Sequence, residues 1–399
     1  MSPRINFLSR EFMENPHPYL AELRRQGPVV QVEPGGIWAV THHDEVQHVL
    51  KSPQAFSSSG LRFAFSPQWL GRTNPLSYSI AFMDPPHHGR LRALVTQAFT
   101  PKALARMESR IHDTARKCVD DMLEKRRVDF VDSLSTPIPA SVIGHLLGLD
   151  ESRHAQLKQW TTDIATISGV AADDTAGTAR CRATVEELDG YSRQLLDDRR
   201  RQPREDMVSD LLQARVDDTE ALTDDELVGF FVALLVGGLE TTVNLLSHCA
   251  RMFALRPELL PRLRATPTLI PRFIEETLRY EPPILSIVRT CTEDVTLAGV
   301  SLPKGATVLV SLVSASRDEK HFPDGDQFIL ERENAQQISF GHGIHFCIGA
   351  RLTRLEARIA LEELVSRVDR VELRTEHLEW TPSLIVRGPA TLPVELFPS

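Results

Sequence analysis

The 399-residue chain is 42% hydrophobic and 25% charged, and its formal net charge at pH 7 is −9. This is the composition of an ordinary globular protein, and the length suffices to bury a large core together with a large cofactor. The negative charge argues against general nucleic-acid binding, which needs a basic surface.

The N-terminus lacks the basic segment followed by an apolar segment that marks a signal peptide. The longest apolar run, residues 227–239, is shorter than the roughly 20 residues that span a bilayer. We therefore expect a cytoplasmic protein without a membrane anchor.

Secondary-structure signals change along the chain from short β-rich stretches to long helical ones. Residues 29–41 hold two β-rich runs around Glu-Pro-Gly-Gly, which predicts a hairpin, and residues 295–312 show the same pattern. Residues 105–125 repeat apolar side chains at helical spacing, and residues 222–255 are apolar almost all round, as in a helix through a large core. Residues 371–396 suggest short strands. The predicted fold class is mainly α with a minor β region.

The five cysteines are scattered and show no CxxC spacing, which makes a disulfide framework or a four-cysteine zinc site a poor explanation. Four of them are best explained as buried small apolar residues; these are Cys118, Cys181, Cys249 and Cys291. Cys347 differs because it lies among glycines and histidines.

Residues 340–349 read FGHGIHFCIG, and a helical repeat of apolar residues begins at Ile348. Cys347 is thus predicted at a helix N-terminus, where unpaired N–H groups and the helix dipole stabilise a thiolate. Glycines in such a loop permit positive φ and close backbone approach to a bulky group. The residues alone leave four explanations open: a haem-iron ligand, a Cys–His nucleophile, part of a zinc site, or a buried structural cysteine.

The predicted central helix opens with a capping pattern, Thr223 followed by Glu226. Its interior holds residues 237–238, two adjacent glycines that each cost roughly 1 kcal/mol relative to alanine. They permit either close approach of a bound group or a tight helix–helix contact. Glu240 and Thr241 follow directly, and an acid beside a hydroxyl suits proton transfer through water.

Two further pairs share a helical face. Glu276 and Arg279 are three residues apart, and His88 and Arg92 are four apart. The first spacing fits an ion pair, and the second fits a site for a dicarboxylate, although solvated surface residues would produce either pattern.

The ten residues 340–349 resemble the haem-binding loop of the cytochrome P450 family, F-G-x-G-x-H-x-C-x-G, at every fixed position. The resemblance implies that Cys347 is the axial ligand of the iron of haem b, and that its electron donation favours O–O cleavage. It also implies that the loop residues Phe340, Gly341 and Gly349 pass close to the macrocycle and that His345 contacts a haem propionate.

The resemblance extends over nearly the whole chain. It implies that Glu240 and Thr241 relay protons, that Gly238 lies beside the haem, and that His88, Arg92 and Arg289 bind the propionates. It also implies that Glu276 and Arg279 form a structural clamp behind the cysteine loop. The chain departs from the family in two places: Gln327 stands where a basic third partner of the clamp is frequent, and Gln337 where a histidine is frequent.

The implied fold is that of cytochrome P450, with haem between a long central helix and the cysteine loop and helix. Residues 1–399 would form a single domain without a fused reductase or ferredoxin domain. The implied activity is haem-thiolate monooxygenation, in which one oxygen atom of O₂ enters a hydrophobic small molecule by hydroxylation or epoxidation. A natural product of secondary metabolism, such as a polyketide, macrolide or terpenoid, is the expected substrate.

The resemblance further implies that NAD(P)H-derived electrons arrive through a ferredoxin, or a flavodoxin, and its reductase. Basic residues on the cysteine side would dock that acidic carrier; these are Arg106, Arg110, Arg116, Lys117, Arg351 and Arg354.

The expected substrate pocket is apolar, and Arg62 or Arg72 is a candidate for meeting a substrate carboxylate. Its expected lining is residues 61–80 and 162–171 with Leu234, Leu235, Ile284, Leu285, Ile287 and Ile385. The alternatives are a fatty-acid hydroxylase, a peroxide-driven peroxygenase, a non-catalytic haem-binding partner and a thiol hydrolase. The pair Glu240–Thr241 argues against the peroxygenase, whose relatives lack it.

Overall fold

The computed structural model describes residues 4–149, 154–215, 221–333, 337–381 and 383–399. The chain divides into two compact units with interleaved segments. The first, here the sheet unit, comprises Met1–Ser57, Ile111–Ile138 and Thr241–Ser399. The second, here the helical unit, comprises Ser58–Arg110 and Pro139–Glu240.

Helices make up most of the described chain, which confirms the predicted fold class. In the sheet unit lie α1 (Arg10–Glu14), α2 (His17–Gln26), α3 (His43–Lys51), α12 (Thr241–Leu255), α13 (Leu259–Ala265), α14 (Ile270–Tyr280), α15 (Leu312–Ala315) and α16 (Ala350–Arg367). In the helical unit lie α4 (Leu61–Phe65), α5 (His87–Thr96), α8 (His154–Thr166), α9 (Thr175–Arg201), α10 (Met207–Gln213) and α11 (Asp224–Leu235). Helices α6 (Pro101–Lys125) and α7 (Pro137–Leu146) run from one unit into the other.

All strands of the described residues belong to the sheet unit. They are β1 (Val29–Val32), β2 (Ile37–Val40), β3 (Phe56–Ser57), β4 (Arg127–Asp129), β5 (Ser286–Cys291), β6 (Val295–Leu297), β7 (Val300–Leu302), β8 (Thr307–Ser311), β9 (Val368–Leu373) and β10 (Pro393–Pro398). One sheet has the order β1-β2-β8-β5-β3, a second β4-β10-β9, and β6 pairs with β7 alone.

The strand predictions are largely confirmed. Residues 29–41 form the antiparallel hairpin β1–β2, with Val29 opposite Val40, and the C-terminal tail supplies β9 and β10. Residues 295–312 were expected to form one hairpin, but only β6 and β7 do so. Strand β8 instead pairs in parallel with β2 and antiparallel with β5. In this position its apolar side chains are buried in the clusters on the main sheet.

The five-stranded sheet is buried on both faces. Along β8, Val308 and Val310 belong to one apolar cluster and Leu309 to another, as expected when successive side chains point to opposite faces. The first cluster includes Val46, Val49 and Leu50 of α3, which brings that helix onto the sheet.

The central helix begins with the predicted capping box, since Thr223 and Glu226 exchange side-chain-to-backbone hydrogen bonds. It is interrupted at Val236–Glu240, where a wider π-helical turn separates α11 from α12. The whole stretch Asp224–Leu255 is long and apolar enough to cross a membrane by composition, yet 56% of its most apolar window is buried within the protein. A core helix of a globular protein passes the same test, so this feature is weak evidence for membrane insertion.

Candidate active site

The cysteine loop lies in the sheet unit directly before α16. Gly349 is the N-cap residue of that helix, and the Cys347 thiol lies 3.9 Å from where a Cβ on Gly349 would stand. The Cys347 backbone N–H donates to the Phe340 carbonyl at 3.0 Å and closes the loop. The thiol is therefore held at the positive end of a helix dipole, which stabilises its ionised form.

Two glycines of the loop have left-handed backbones: φ is +73° at Gly341 and +70° at Gly343. A Cβ on Gly343 would also lie 2.5 Å from the Leu50 carbonyl oxygen of α3, so a side chain there would require the backbone to move. The loop can approach α3 this closely because residue 343 is glycine.

Cys347 differs from the other cysteines in its exposure. Cys118, Cys181, Cys249 and Cys291 are buried, as predicted, whereas Cys347 is half-buried. Burial raises the pKa of Cys118 to about 11 and that of Cys249 to about 12. These thiols are inert, and only Cys347 among the five combines accessible surface with a helix N-terminus.

Behind the loop, Glu276 and Arg279 of α14 form the predicted clamp. Their side chains are 1% and 0% exposed and share two hydrogen bonds of 2.8 Å. The Arg279 guanidinium also donates to three backbone carbonyls, those of Ser316, Gly325 and Gln327, at 2.8–2.9 Å. A buried ion pair is tolerated when its remaining hydrogen-bonding capacity is satisfied, as it is here.

The third basic member of the clamp is Arg332, which the sequence analysis did not identify. Its Nε donates to Glu276 Oε1 at 3.3 Å, and the Ile329 N–H donates to the same oxygen at 2.7 Å. Gln327 takes part through its backbone carbonyl. The basic partner of Glu276 is therefore Arg332, five residues after Gln327, the position at which the family resemblance led us to expect it.

Gln337 forms hydrogen bonds with residues beside the loop. Its amide donates to Glu275 at 3.1 Å and accepts from the Ser339 N–H at 2.5 Å. Glu275 in turn pairs with Arg354 at 2.6 Å, and the Arg354 guanidinium stacks 4.4 Å from the centroid of the Phe340 ring. A chain of contacts therefore orients Phe340, the first residue of the loop motif.

The acid–alcohol pair lies at the end of the widened helical turn. Glu240 is the last residue of that turn, and Thr241 is the first of α12; both are half-buried. Burial raises the pKa of Glu240 to about 7. A carboxyl group with this pKa can both donate and accept a proton near neutral pH.

The two helix glycines have different surroundings. A Cβ on Gly238 would lie 2.8 Å from Ile143 Cδ1, so Gly238 makes a tight contact within the helical unit. A Cβ on Gly237 would meet nothing within 4 Å. The contact of Gly238 fits the explanation of tight packing, and Gly237 is the one that borders open space.

The predicted propionate ligands are distributed over both units. Arg289 lies on β5, is 6% exposed and donates to the Val288 carbonyl at 2.8 Å. In the helical unit, His88 and Arg92 lie on one face of α5, and His88 is 2% exposed. Burial first, and the charge of Arg92 second, lower the pKa of His88, so that it is a neutral donor. His345 is half-buried at the end of a 3₁₀ turn, Gly343–His345.

The predicted pocket residues differ in exposure. Ile284, Ile287 and Ile385 are half-buried, and Leu234 is 9% exposed. Leu235 and Leu285 are each 2% exposed, and Leu285 belongs to an apolar core cluster with Leu309 and Val313. Leu235 and Leu285 therefore present less accessible surface than the three isoleucines.

The two loop arginines considered for a substrate carboxylate also differ. Arg72 pairs with Asp189 at 2.5 Å and so already has an acidic partner. Arg62 is half-buried on α4. Only Arg62 remains a candidate for an acidic substrate group.

Glu356 is a further residue that sequence reasoning did not single out. It lies nine residues after Cys347 on α16 and is 2% exposed, and burial raises its pKa to about 8. Within the described residues its Oε2 atom has no hydrogen-bond partner. The sequence did offer a signal for its burial, because Glu356 lies on the same face of α16 as the apolar residues Leu352 and Ile359.

These groups suit a haem-thiolate protein. One accessible thiol at a helix N-terminus is an iron ligand of the required softness. The two histidines and two arginines that were predicted as propionate ligands match two carboxylates in charge and hydrogen bonding. The comparisons agree: the family model for cytochrome P450 matches residues 4–166 and 175–374. The chain belongs to the cytochrome P450 family, and it is a monooxygenase.

Relatives of known name cover almost the whole chain. Cytochrome P450 monooxygenase PikC of Streptomyces venezuelae is 38% identical over 98% of this chain and 93% of that protein. Erythromycin C-12 hydroxylase of Saccharopolyspora erythraea is 37% identical over 94% and 93%. The solved structure of cytochrome P450 CYP109Q5 from Chondromyces apiculatus matches with a TM-score of 0.91 and 36% identity over the full length of both chains.

Proposed function

We propose that this monooxygenase holds haem b through the Cys347 thiolate and hydroxylates or epoxidises a neutral, largely apolar natural product of the polyketide or macrolide class. The observation that carries the proposal is the placement of one accessible thiol at the N-terminus of α16, in a loop closed by the hydrogen bond from Cys347 to Phe340. The chemistry that haem supplies when bound is the reductive activation of dioxygen.

The residues of the chain act on this chemistry in three ways. Cys347 donates electron density to the iron, and the clamp of Glu276, Arg279 and Arg332 keeps the structure behind the loop rigid. His88, Arg92, Arg289 and His345 bind the propionates. Gly237 leaves space beside the widened turn, where Gly238 packs on Ile143.

Glu240 and Thr241 would hold and pass protons at the widened turn when haem is bound. A carboxyl group with a pKa of about 7 is half protonated at neutral pH and is re-protonated readily from solvent. The neighbouring hydroxyl of Thr241 accepts and donates a hydrogen bond at once, so it can pass the proton on. This assignment favours an O₂-dependent monooxygenase over a peroxide-driven one.

Electrons come from a ferredoxin or flavodoxin and its NAD(P)H-dependent reductase. The protein works in the cytoplasm, and its two compact units act as one cytochrome P450 domain. In the sheet unit, Arg116, Lys117 and Arg351 are exposed cations on α6 and α16. Arg354 is engaged by Glu275 and Arg106 by Asp210. The exposed members attract an acidic carrier.

The substrate class rests on the relatives and on apolar pocket candidates. One relative is an erythromycin hydroxylase, and Ile284, Ile287 and Ile385 offer half-buried apolar surface. Arg72, which would attract a carboxylate, is occupied by Asp189. The half-buried isoleucines and the macrolide-hydroxylating relative favour a macrolide, and Arg62 is the remaining candidate partner for a fatty-acid carboxylate.

The test is a panel of macrolides and fatty acids, screened by the spin-state shift of the haem protein and then by turnover with ferredoxin, reductase and NADPH. Isotopically labelled O₂ should place one labelled atom in a macrolide product. Fatty acids that bind and turn over better, with binding weakened in Arg62→Ala, would support the fatty-acid hydroxylase instead. Turnover with peroxide alone would support the peroxygenase, and tight binding without turnover would support a non-catalytic partner.

A further inference from the structure

A cluster of two histidines and one aspartate, side-chain types that can bind a metal, lies in the sheet unit at the start of α3. A ring nitrogen of His43, a ring nitrogen of His321 and a carboxylate oxygen of Asp44 all lie within 4.8 Å of one another. His321 Nε2 is 2.8 Å from Asp44 Oδ1, and His43 Nδ1 is 4.0 Å from the same oxygen. His43 and Asp44 open α3, and His321 lies in the turn that follows α15.

His43 lacks the partners that a buried imidazole normally has. It is 6% exposed, and within the described residues neither ring nitrogen makes a hydrogen bond. Its ring stacks on that of His321 with centroids 4.1 Å apart. An unsatisfied buried polar group is unfavourable, so a ligand that binds one of these nitrogens would remove a penalty that the fold otherwise carries.

Buried Asp318 holds the two segments of the cluster together. It is 3% exposed; its Oδ2 accepts from the His43 N–H at 2.9 Å and its Oδ1 from the Lys320 N–H at 3.1 Å. These bonds fix the start of α3 against the turn that carries His321. The three candidate ligands are therefore positioned by backbone contacts that do not depend on a metal.

We propose that His43, Asp44 and His321 form a binding site for a divalent transition metal of the zinc class. Two imidazoles and one carboxylate are ligands that Zn²⁺ accepts, with water in the fourth position. Bonds of about 2.0–2.1 Å in a tetrahedron place ligand atoms roughly 3.3 Å apart. The two separations from Asp44 Oδ1, 2.8 Å to His321 and 4.0 Å to His43, lie on either side of this value, so metal binding would require the side chains to rotate.

Lys320 is the natural competitor for the metal. Its Nζ lies 3.0 Å from Asp44 Oδ2, while the histidines face Oδ1. A cation on the carboxylate repels a second one, so the lysine weakens metal affinity without blocking the histidine side. Removing the ammonium should therefore tighten binding.

The experiment uses the haem-loaded protein, freed of metal with a chelator and titrated with Zn²⁺ by calorimetry and with Co²⁺ by visible absorption. We expect one site, lost or weakened at least tenfold in His321→Ala and Asp44→Asn and tightened several-fold in Lys320→Met. The matched control is His48→Ala, an exposed histidine in the last turn of the same helix, which should bind as the parent does.

Co²⁺ also reports the ligand set, because tetrahedral Co²⁺ absorbs far more strongly than the aqueous ion. Asp44 and His321 are exposed, so the protein should still fold when either residue is replaced. Unchanged affinity in His321→Ala and Asp44→Asn would overturn the proposal. So would an equal loss in His48→Ala, or binding of Co²⁺ without a tetrahedral spectrum.

Discussion

Two glutamates, one buried and one half-buried, show how differently one fold can use the same side chain. Glu276 on α14 is 1% exposed and accepts hydrogen bonds from Arg279, Arg332 and the Ile329 N–H. Glu240, at the end of the widened turn, has its pKa raised to about 7 by burial. The first carboxylate is held by cations and stays structural, whereas the second is poised to exchange a proton.

The difference is one of partners and not of burial alone. A carboxylate with cationic partners stays ionised in the interior, and removing one partner leaves an uncompensated charge. A carboxylate without such compensation protonates instead, which places its pKa where acid–base chemistry operates. Substitutions at the two sites should therefore have different effects on stability and on activity.

The largest expected effect is that of Glu276→Ala. It leaves the Arg279 guanidinium buried without its carboxylate, so the free energy of unfolding should fall by about 3–5 kcal/mol, measured by urea denaturation. The matched control is Glu362→Ala, which removes a half-exposed ion pair with Arg358 on α16 and should cost less than about 1 kcal/mol. Equal losses in the two variants would remove the distinction between a buried clamp and a surface pair.

Glu240→Gln should act on rate and pH dependence. Without a titrating acid, turnover at neutral pH should fall on the order of 10²-fold. The parent should lose activity as pH rises through about 7, because the acid form is lost, and the variant should lack that limb.

The stability of Glu240→Gln should change in the opposite direction. A carboxyl whose pKa is 4.5 in the unfolded chain and about 7 in the fold makes the parent less stable as pH rises between those values. The glutamine variant should therefore gain stability relative to the parent over that interval. If the variant is less stable than the parent at pH 7, the Glu240 carboxylate stabilises the fold, as that of Glu276 does, and the contrast fails.

Thr241→Ala tests the second member of the relay. We expect NADPH consumption to continue while product formation falls several-fold, because protons reach the distal side less selectively. Thr242→Ala, the next residue on α12 and 1% exposed, is the matched control and should stay coupled. Tight coupling in Thr241→Ala would count against its assigned role.

The smallest effect is expected at the docking surface. Charge reversal in Arg351→Glu should slow electron transfer several-fold at low salt and less at high salt, since exposed charges are screened within about 10 Å at 0.1 M. Lys304→Glu, an exposed lysine between β7 and β8, should have no such effect. If salt does not change the parent's electron-transfer rate, the docking proposal is wrong.

Local signals were sufficient for much of the fold. The capping box of Thr223 and Glu226, the hairpin at 29–41 and the helix after the cysteine loop each depend on residues a few positions apart. The sequence prediction wrongly put β8 in a hairpin with its neighbours in the chain, because its pairing with β2 and β5 joins distant parts of the chain.

The same distinction holds for the site. The motif around Cys347 identified the loop because its spacing is local. Arg332 was missed because it reaches Glu276 from 56 residues away. Glu356 was missed although its position among the apolar residues of α16 was a local signal. The sequence likewise could not separate Gly237, which borders open space, from Gly238, which packs on Ile143.

The most direct test of the account is the absorption spectrum of the dithionite-reduced protein with carbon monoxide, compared with that of Cys347→His. The account predicts a strongly red-shifted Soret band for the parent, because the iron carries a thiolate ligand, and its absence in the variant. A parent band at the position typical of histidine-ligated haem would contradict Cys347 as the ligand.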